Sequence, residues 1–191
     1  MLDAAKALFA GRGIDKVSVA EIARSAGVGG STVYALFGSK AGLLRAMMEQ
    51  TLFGPAFQAA QQMLVGVTDG VRLVELTARM ARAIYGAEAA ELGVIRGASA
   101  FSADLRSTEA EFEQVRRDMQ RPRLERLFEQ GRARAGLSFA EAQTVMAMFT
   151  SRDVYRMLVV EGGWTADAYE AWLARTLVEA LVEPGEGSSV K

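Results

Sequence analysis

Two short helical patterns joined by glycine, between Val17 and Lys40, constrain this chain more than anything else in it. Ser18 stands before an apolar-periodic run and Glu21 follows three residues later. That is the S-x-x-E spacing in which side chain and backbone cap each other at a helix start. Val19, Ile22, Ala23 and Ala26 fall on one face at helical spacing, and Gly27 can take the left-handed backbone that ends many helices. A second helix can begin after Gly29-Gly30. Val33, Leu36 and Phe37 give it an apolar side, and Ser31, Thr32, Tyr34 and Ala35 are left to solvent. The same spacing fits an ordinary corner between two helices, or a helix-turn-helix whose second helix enters the DNA major groove.

Residue order across Ala4–Leu44 goes further. Ala-x-x-Leu-Phe precedes Gly13, Ser18 is the cap, Ile22-Ala23 leads to Ala26-Gly27-Val28, and Thr32-x-Tyr34-x-x-Phe37-Gly38-Ser39-Lys40 follows. This stretch resembles the amino-terminal DNA-binding domain of TetR-family transcriptional regulators. The resemblance implies phosphate contacts from Ser18, Tyr34 and Lys40, and base-edge or methyl contacts from Gly30, Ser31 and Thr32. Family members usually carry a basic segment ahead of the first helix, and none precedes it here. Gly29-Gly30 also replaces a common polar-basic pair, and Ala35-Leu36 replaces larger polar or aromatic residues. Readout should therefore rest on Thr32, Ser31 and DNA shape, not on bidentate arginine.

Charge is distributed to match. Residues 1–50 carry six Lys or Arg against four Asp or Glu, and residues 51–191 carry sixteen against nineteen. The first segment is mildly basic, the rest mildly acidic. With neither Cys nor His, thiolate chemistry, disulfides and histidine-based triads are unavailable. The carboxylates have no catalytic spacing, so an enzyme is not expected, nor is a cofactor or metal. No apolar run approaches the ~18 residues of a membrane span and no signal-peptide pattern opens the chain, which suits a cytoplasmic protein.

The remaining chain reads as an all-α continuation. We expect a DNA-binding domain over 1–50 with the helix-turn-helix at about 18–37, a helical bundle over 51–184, and a disordered tail over 185–191. Met1–Phe9 should form the first helix. Ser39 should cap a fourth, with Leu43, Leu44, Met47 and Met48 inward. Helices are expected over Pro55–Val67, from Asp69 to Gly86, and from Ala87 to about Ser102, the last softened or closely packed at Gly93 and Gly97. Pro122 should kink or divide the segment Ala103–Gly131. Ser138, with Glu141, should cap a helix reaching Gly162, and Thr165 a last one reaching Val182.

These last two helices, 138–162 and 165–182, resemble the pair through which TetR-family regulators form homodimers, and two-fold symmetry would call for an inverted-repeat DNA operator. The family also holds a small-molecule effector in the carboxy-terminal bundle. Here the helices between Asp69 and Phe149 supply Met80, Ile84, Tyr85, Phe101, Phe112, Met119, Met146 and Phe149, although aromatic and Met residues at this spacing also serve as plain core. A mainly apolar ligand fits these side chains, with Arg79, Arg82 and Arg96 available for a polar group at the pocket edge. The function expected is a ligand-responsive regulator, most simply a repressor released by its effector. The competing expectation is a dimeric small-molecule-binding protein with weak or lost DNA binding.

Overall fold

The computed structural model describes residues 1–96 and 103–185; Phe101, Gly97 and most of the expected tail lie outside them. Among the described residues the regular structure is helical, save one isolated antiparallel bridge between Ala133 and Val182. The chain is all-α. In order, the helices are α1 (Leu2–Arg12), α2 (Val19–Ser25), α3 (Gly30–Phe37), α4 (Lys40–Leu52), α5 (Pro55–Gln62), α6 (Gly70–Arg96) and α7 (Ala103–Glu129). There follow α8 (Phe139–Phe149), α9 (Arg152–Tyr155) with a π-helical continuation (Arg156–Glu161), and α10 (Ala166–Leu181). Contacts divide them into two compact units: 1–54 with 87–112, and 55–86 with 113–191.

The first unit is built around Ala5 and Phe9 of α1, Ile14, Val17, Ile22 and Ala23 around α2, Val33 of α3, and Leu43, Leu44 and Met47 of α4. Each large side chain buried in this way is worth roughly 1.5–3 kcal/mol. Val33 is the buried residue of α3, whereas Leu36, expected to join it inside, is 60% exposed. An eight-residue helix has room for one deep anchor, and Phe37 provides the rest of its packing from a half-buried position. Gly42 lets α4 begin against the end of α3: a Cβ there would sit 1.9 Å from the Phe37 carbonyl oxygen.

In the second unit, Val74, Ala78, Ala81 and Tyr85 of α6 pack with Leu124 and Leu127 of α7, Ala142 and Met146 of α8, and Tyr169, Leu173, Leu177 and Leu181 of α10. Gly70 permits the close start of α6, since a Cβ would meet the Leu127 backbone at 2.7 Å. Asp69 accepts from the Arg72 amide at 2.7 Å, as a cap should.

Five boundaries differ from the sequence reading. Helix α1 runs through Gly11 to Arg12 rather than ending at Phe9. Helix α5 stops at Gln62 and gives way to turns rather than reaching Val67. Gly86 does not end α6, which continues to Arg96; an internal glycine costs only about 1 kcal/mol, and here the Tyr155 hydroxyl lies 3.6 Å from where its Cβ would be. Pro122 does not divide α7. The proline and Asp118, whose carbonyl loses its amide partner, both face solvent, so water can take that carbonyl while Gln120, Arg123, Leu124 and Leu127 stay buried. Finally, the helix begun at Ser138 ends at Phe149. The Thr150 hydroxyl donates to the Met146 carbonyl at 2.6 Å, and Ser151 caps a new start by accepting from the Val154 amide.

Candidate nucleic-acid interface and ligand cavity

The helix-turn-helix is fixed at both ends by its own side chains. At the start of α2, Ser18 Oγ accepts from the Glu21 amide at 3.2 Å, and Glu21 Oε2 accepts from the Ser18 amide at 2.9 Å. Arg12, from the end of α1, donates to Glu21 Oε1 at 2.8 Å. The Ser18 amide and hydroxyl, followed by the Arg12 guanidinium, hold the Glu21 carboxyl down at about 2. At the other end, Val28 donates to the Ala23 carbonyl and Gly27 to that of Arg24, with Gly27 at φ 67°. That is the paired closure of a Schellman turn, and it sets the angle at which α3 leaves.

What α3 presents is a short polar face. Ser31, Thr32, Tyr34, Ala35 and Leu36 are exposed, Tyr34 by 57%, and Gly30 is half-buried at the helix start. Ser18 is exposed too, but its hydroxyl is already engaged in the cap. Lys40 is placed otherwise: its ammonium donates to the Ile14 carbonyl and lies 5.9 Å from the centre of the Phe9 ring. It ties α4 to the first helix and the loop after it. Ser39 caps α4 by accepting from the Gly42 amide at 3.0 Å.

The second unit encloses a cavity of about 50 Å³ lined by Phe57, Thr77, Met80, Ala81, Ile84, Tyr85, Arg116, Met119, Gln120, Arg123 and Thr150. Met80, Ile84, Tyr85 and Met119 come together here as candidates. Met146 is instead fully buried core, Phe149 stacks edge-on against Trp172, and Phe112 belongs to the first unit, where it packs on Phe53. Of the three edge arginines, Arg82 is engaged by Asp167 and Glu170, Arg79 lines a separate open cleft, and the Arg96 side chain lies outside the described ones.

The polar wall of the cavity went unread in the sequence. Thr150 stands at its centre: the hydroxyl accepts from Arg116 at 2.6 Å and from Gln120 at 2.8 Å, and the carbonyl accepts from the Tyr85 hydroxyl at 2.8 Å. Arg116 also pairs with Glu113 and donates to the Ala147 carbonyl. Arg123 is held differently. It is 5% exposed, donates from Nη1 to Thr77 Oγ1 at 3.1 Å, and its Nε has no partner. Burial pulls its guanidinium down to about 10. The signal available in the sequence was Gln120-x-x-Arg123 at helical spacing, on the side of α7 that also carries Leu124 and Leu127.

Residues 1–47 match the family model described as bacterial regulatory proteins, tetR family. No curated protein matches the chain. Among solved structures, the fatty acid degradation regulator FadR from Bacillus halodurans superposes with a TM-score of 0.72 at 18% identity, covering 92% of this chain and 91% of that one. FadR from Bacillus subtilis, in complex with stearoyl-CoA, gives 0.72 at 17% identity over 93% and 95%. NalD, the secondary repressor of the MexAB-OprM multidrug efflux pump in Pseudomonas aeruginosa, gives 0.70 at 22% identity over 96% of each chain. At such identities the likeness is one of fold, and it spans both units. Residues 1–47 thus carry an amino-terminal domain of the kind described for bacterial regulatory proteins of the tetR family, and the fold of the chain is shared from end to end with solved regulators.

Proposed function

We propose that this chain is a cytoplasmic, dimeric repressor that binds an inverted-repeat operator through α3 and is released by a small molecule held in its second unit. The observation that carries the reading is the face of α3, where Ser31, Thr32 and Tyr34 stand exposed on a helix anchored by Val33 and aimed by the turn at Gly27. Thr32 and Ser31 suit base edges and thymine methyl groups. Tyr34 suits a phosphate, and the free amides at Gly30 add donors at a helix start. Ser18 would contribute through the start of α2 as a phosphate-side contact, and Lys40 through the N–H donors that Ile14 leaves open. The domain division we adopt is 1–50 for DNA binding and 51–184 for ligand binding and dimerisation.

Release by a ligand would be a coupling of about 1 to 3 kcal/mol between the two sites, and it must be reciprocal. A dimeric small-molecule-binding protein with weak DNA affinity is the second reading, favoured by the absence of any Lys or Arg on α3. Binding to operator fragments over a range of salt separates the two. Lys40→Met keeps the stem over Phe9, and it should weaken all DNA equally and lower the salt slope by about one phosphate equivalent. Thr32→Ala should shift sequence preference at nearly constant slope. Equal, sequence-independent losses from both substitutions would contradict the assigned roles.

A further inference from the structure

We infer that the cavity of the second unit is a receptor for a small monocarboxylate with a short apolar tail, and that Arg123 is the residue that takes its carboxylate. The inference deepens the ligand-binding part of the proposed function and rests on it only for the claim that occupancy matters to DNA binding.

Arg123 is a buried cation with an unanswered half. Its one hydrogen bond among the described residues runs from Nη1 to Thr77, whose own hydroxyl donates on to the Leu73 carbonyl at 2.9 Å. Nε is buried and unpartnered. That leaves the edge formed by Nε and Nη2, two parallel N–H donors, which is the edge that fits two coplanar carboxylate oxygens. Among the described residues no Asp or Glu lines the cavity, and none pairs with Arg123. The neighbouring Arg116 is already neutralised by Glu113. The cavity therefore holds one uncompensated positive charge in a low-dielectric wall, a costly arrangement unless an anion completes it.

Charge and shape narrow the ligand. A single unpaired cation balances a monoanion, whereas a phosphate dianion would bring a second buried charge without a partner. About 50 Å³ is room for roughly three to four water-sized groups, enough for a carboxylate and its first carbons, with the end of the tail directed outward. Phe57, Met80, Ala81 and Ile84 offer those carbons an apolar wall. Met119, flexible and 37% exposed, stands where a longer tail would emerge.

The test uses the full chain without DNA, titrated at constant ionic strength with butyrate, butyramide and propylphosphonate, which share a three-carbon tail. Butyrate should bind about tenfold or more tighter than butyramide, the difference expected of a charge-assisted bidentate pair over a neutral one. In Arg123→Gln that preference should fall to within about twofold, with the helical spectrum unchanged. A readout that needs no variant is the 15N-correlated resonance of a solvent-protected arginine Nε–H, which should move with butyrate and stay in place with butyramide. Butyramide equal to butyrate, propylphosphonate tighter than butyrate, a preference that survives in Arg123→Gln, or no Nε resonance that responds to butyrate would each overturn the assignment. Operator affinity measured separately tells the two ideas apart. Carboxylate selectivity with unchanged DNA binding removes the induction reading and leaves Arg123 as the receptor.

Discussion

Thr150 shows how much one hydroxyl can hold together. It closes α8 on the Met146 carbonyl, accepts from Arg116 and Gln120 of α7, and offers its carbonyl to Tyr85 of α6. Thr150→Val keeps the volume, strands the Gln120 amide, and leaves Arg116 Nη1 only the Thr150 carbonyl at 3.3 Å. It should cost about 1 to 3 kcal/mol in urea unfolding, the cost of one stranded buried donor. A loss under about 0.5 kcal/mol, the range of an ordinary surface substitution, would show that the network is not held by Thr150. Tyr169 makes the opposite case: its ring is fully buried among Tyr155 and Trp172, yet its hydroxyl has no partner among the described residues. Tyr169→Phe should be neutral or stabilising by thermal melting, because it removes a desolvated group that bonds to nothing. At this scale the sequence was read unevenly. Met80, Ile84, Tyr85 and Met119 carried the usual mark of apolar residues at helical spacing and do line the cavity. Thr150, Gln120 and Arg123 did not stand out, because a polar residue on a helix looks solvated until the fold shows what covers it.

Among the elements, the short ones were the most legible. Helix α2 is announced by Ser18 and Glu21 and closed by Gly27, and both ends form as the local chemistry requires. This element also carries a pH dependence. Glu21 has its folded-state pKa depressed to about 2 from its ordinary 4.5, first by the Ser18 amide, then by its hydroxyl and by Arg12. Its stabilising contribution is therefore fully present above about pH 4.5 and is lost as pH falls towards 2. Acid unfolding followed at α2 should show that loss, and Glu21→Gln should flatten it. An unchanged acid limb in the variant would assign the loss to other carboxylates. The longer elements were less legible. Gly86 and Pro122 look like breaks when each residue is judged alone, but tertiary packing on both sides outweighs a local penalty of about 1 to 3 kcal/mol. The opposite failure occurred at Thr150-Ser151, where continuous apolar spacing concealed a real break that consecutive hydroxyl residues could have signalled.

For the molecule as a whole, the all-α class and the amino-terminal motif were plain in the sequence, while the ligand chemistry required the cavity. No helix among the described residues is long and apolar enough to cross a membrane. The apolar side chains left exposed near the end of the chain have another use. Met157 and Val160 of the π-helical turn are 49% and 60% exposed, and no residue of that turn is buried. We propose this turn and α10 as part of the homodimer interface. Val160→Lys should then raise the dimer dissociation constant by about tenfold or more in sedimentation, since a charge there must be desolvated without a partner. The most direct test of the central claim is selection of DNA from a random pool by the intact chain, followed by salt-dependent affinity measurement on the recovered sequence. The expected result is an inverted repeat with half-sites about 34 to 36 Å apart or a multiple, and a Thr32→Ala protein whose preference changes at symmetric positions of both halves. Recovery of no preferred sequence, with Thr32→Ala binding indistinguishable from the parent at every salt concentration, would contradict it.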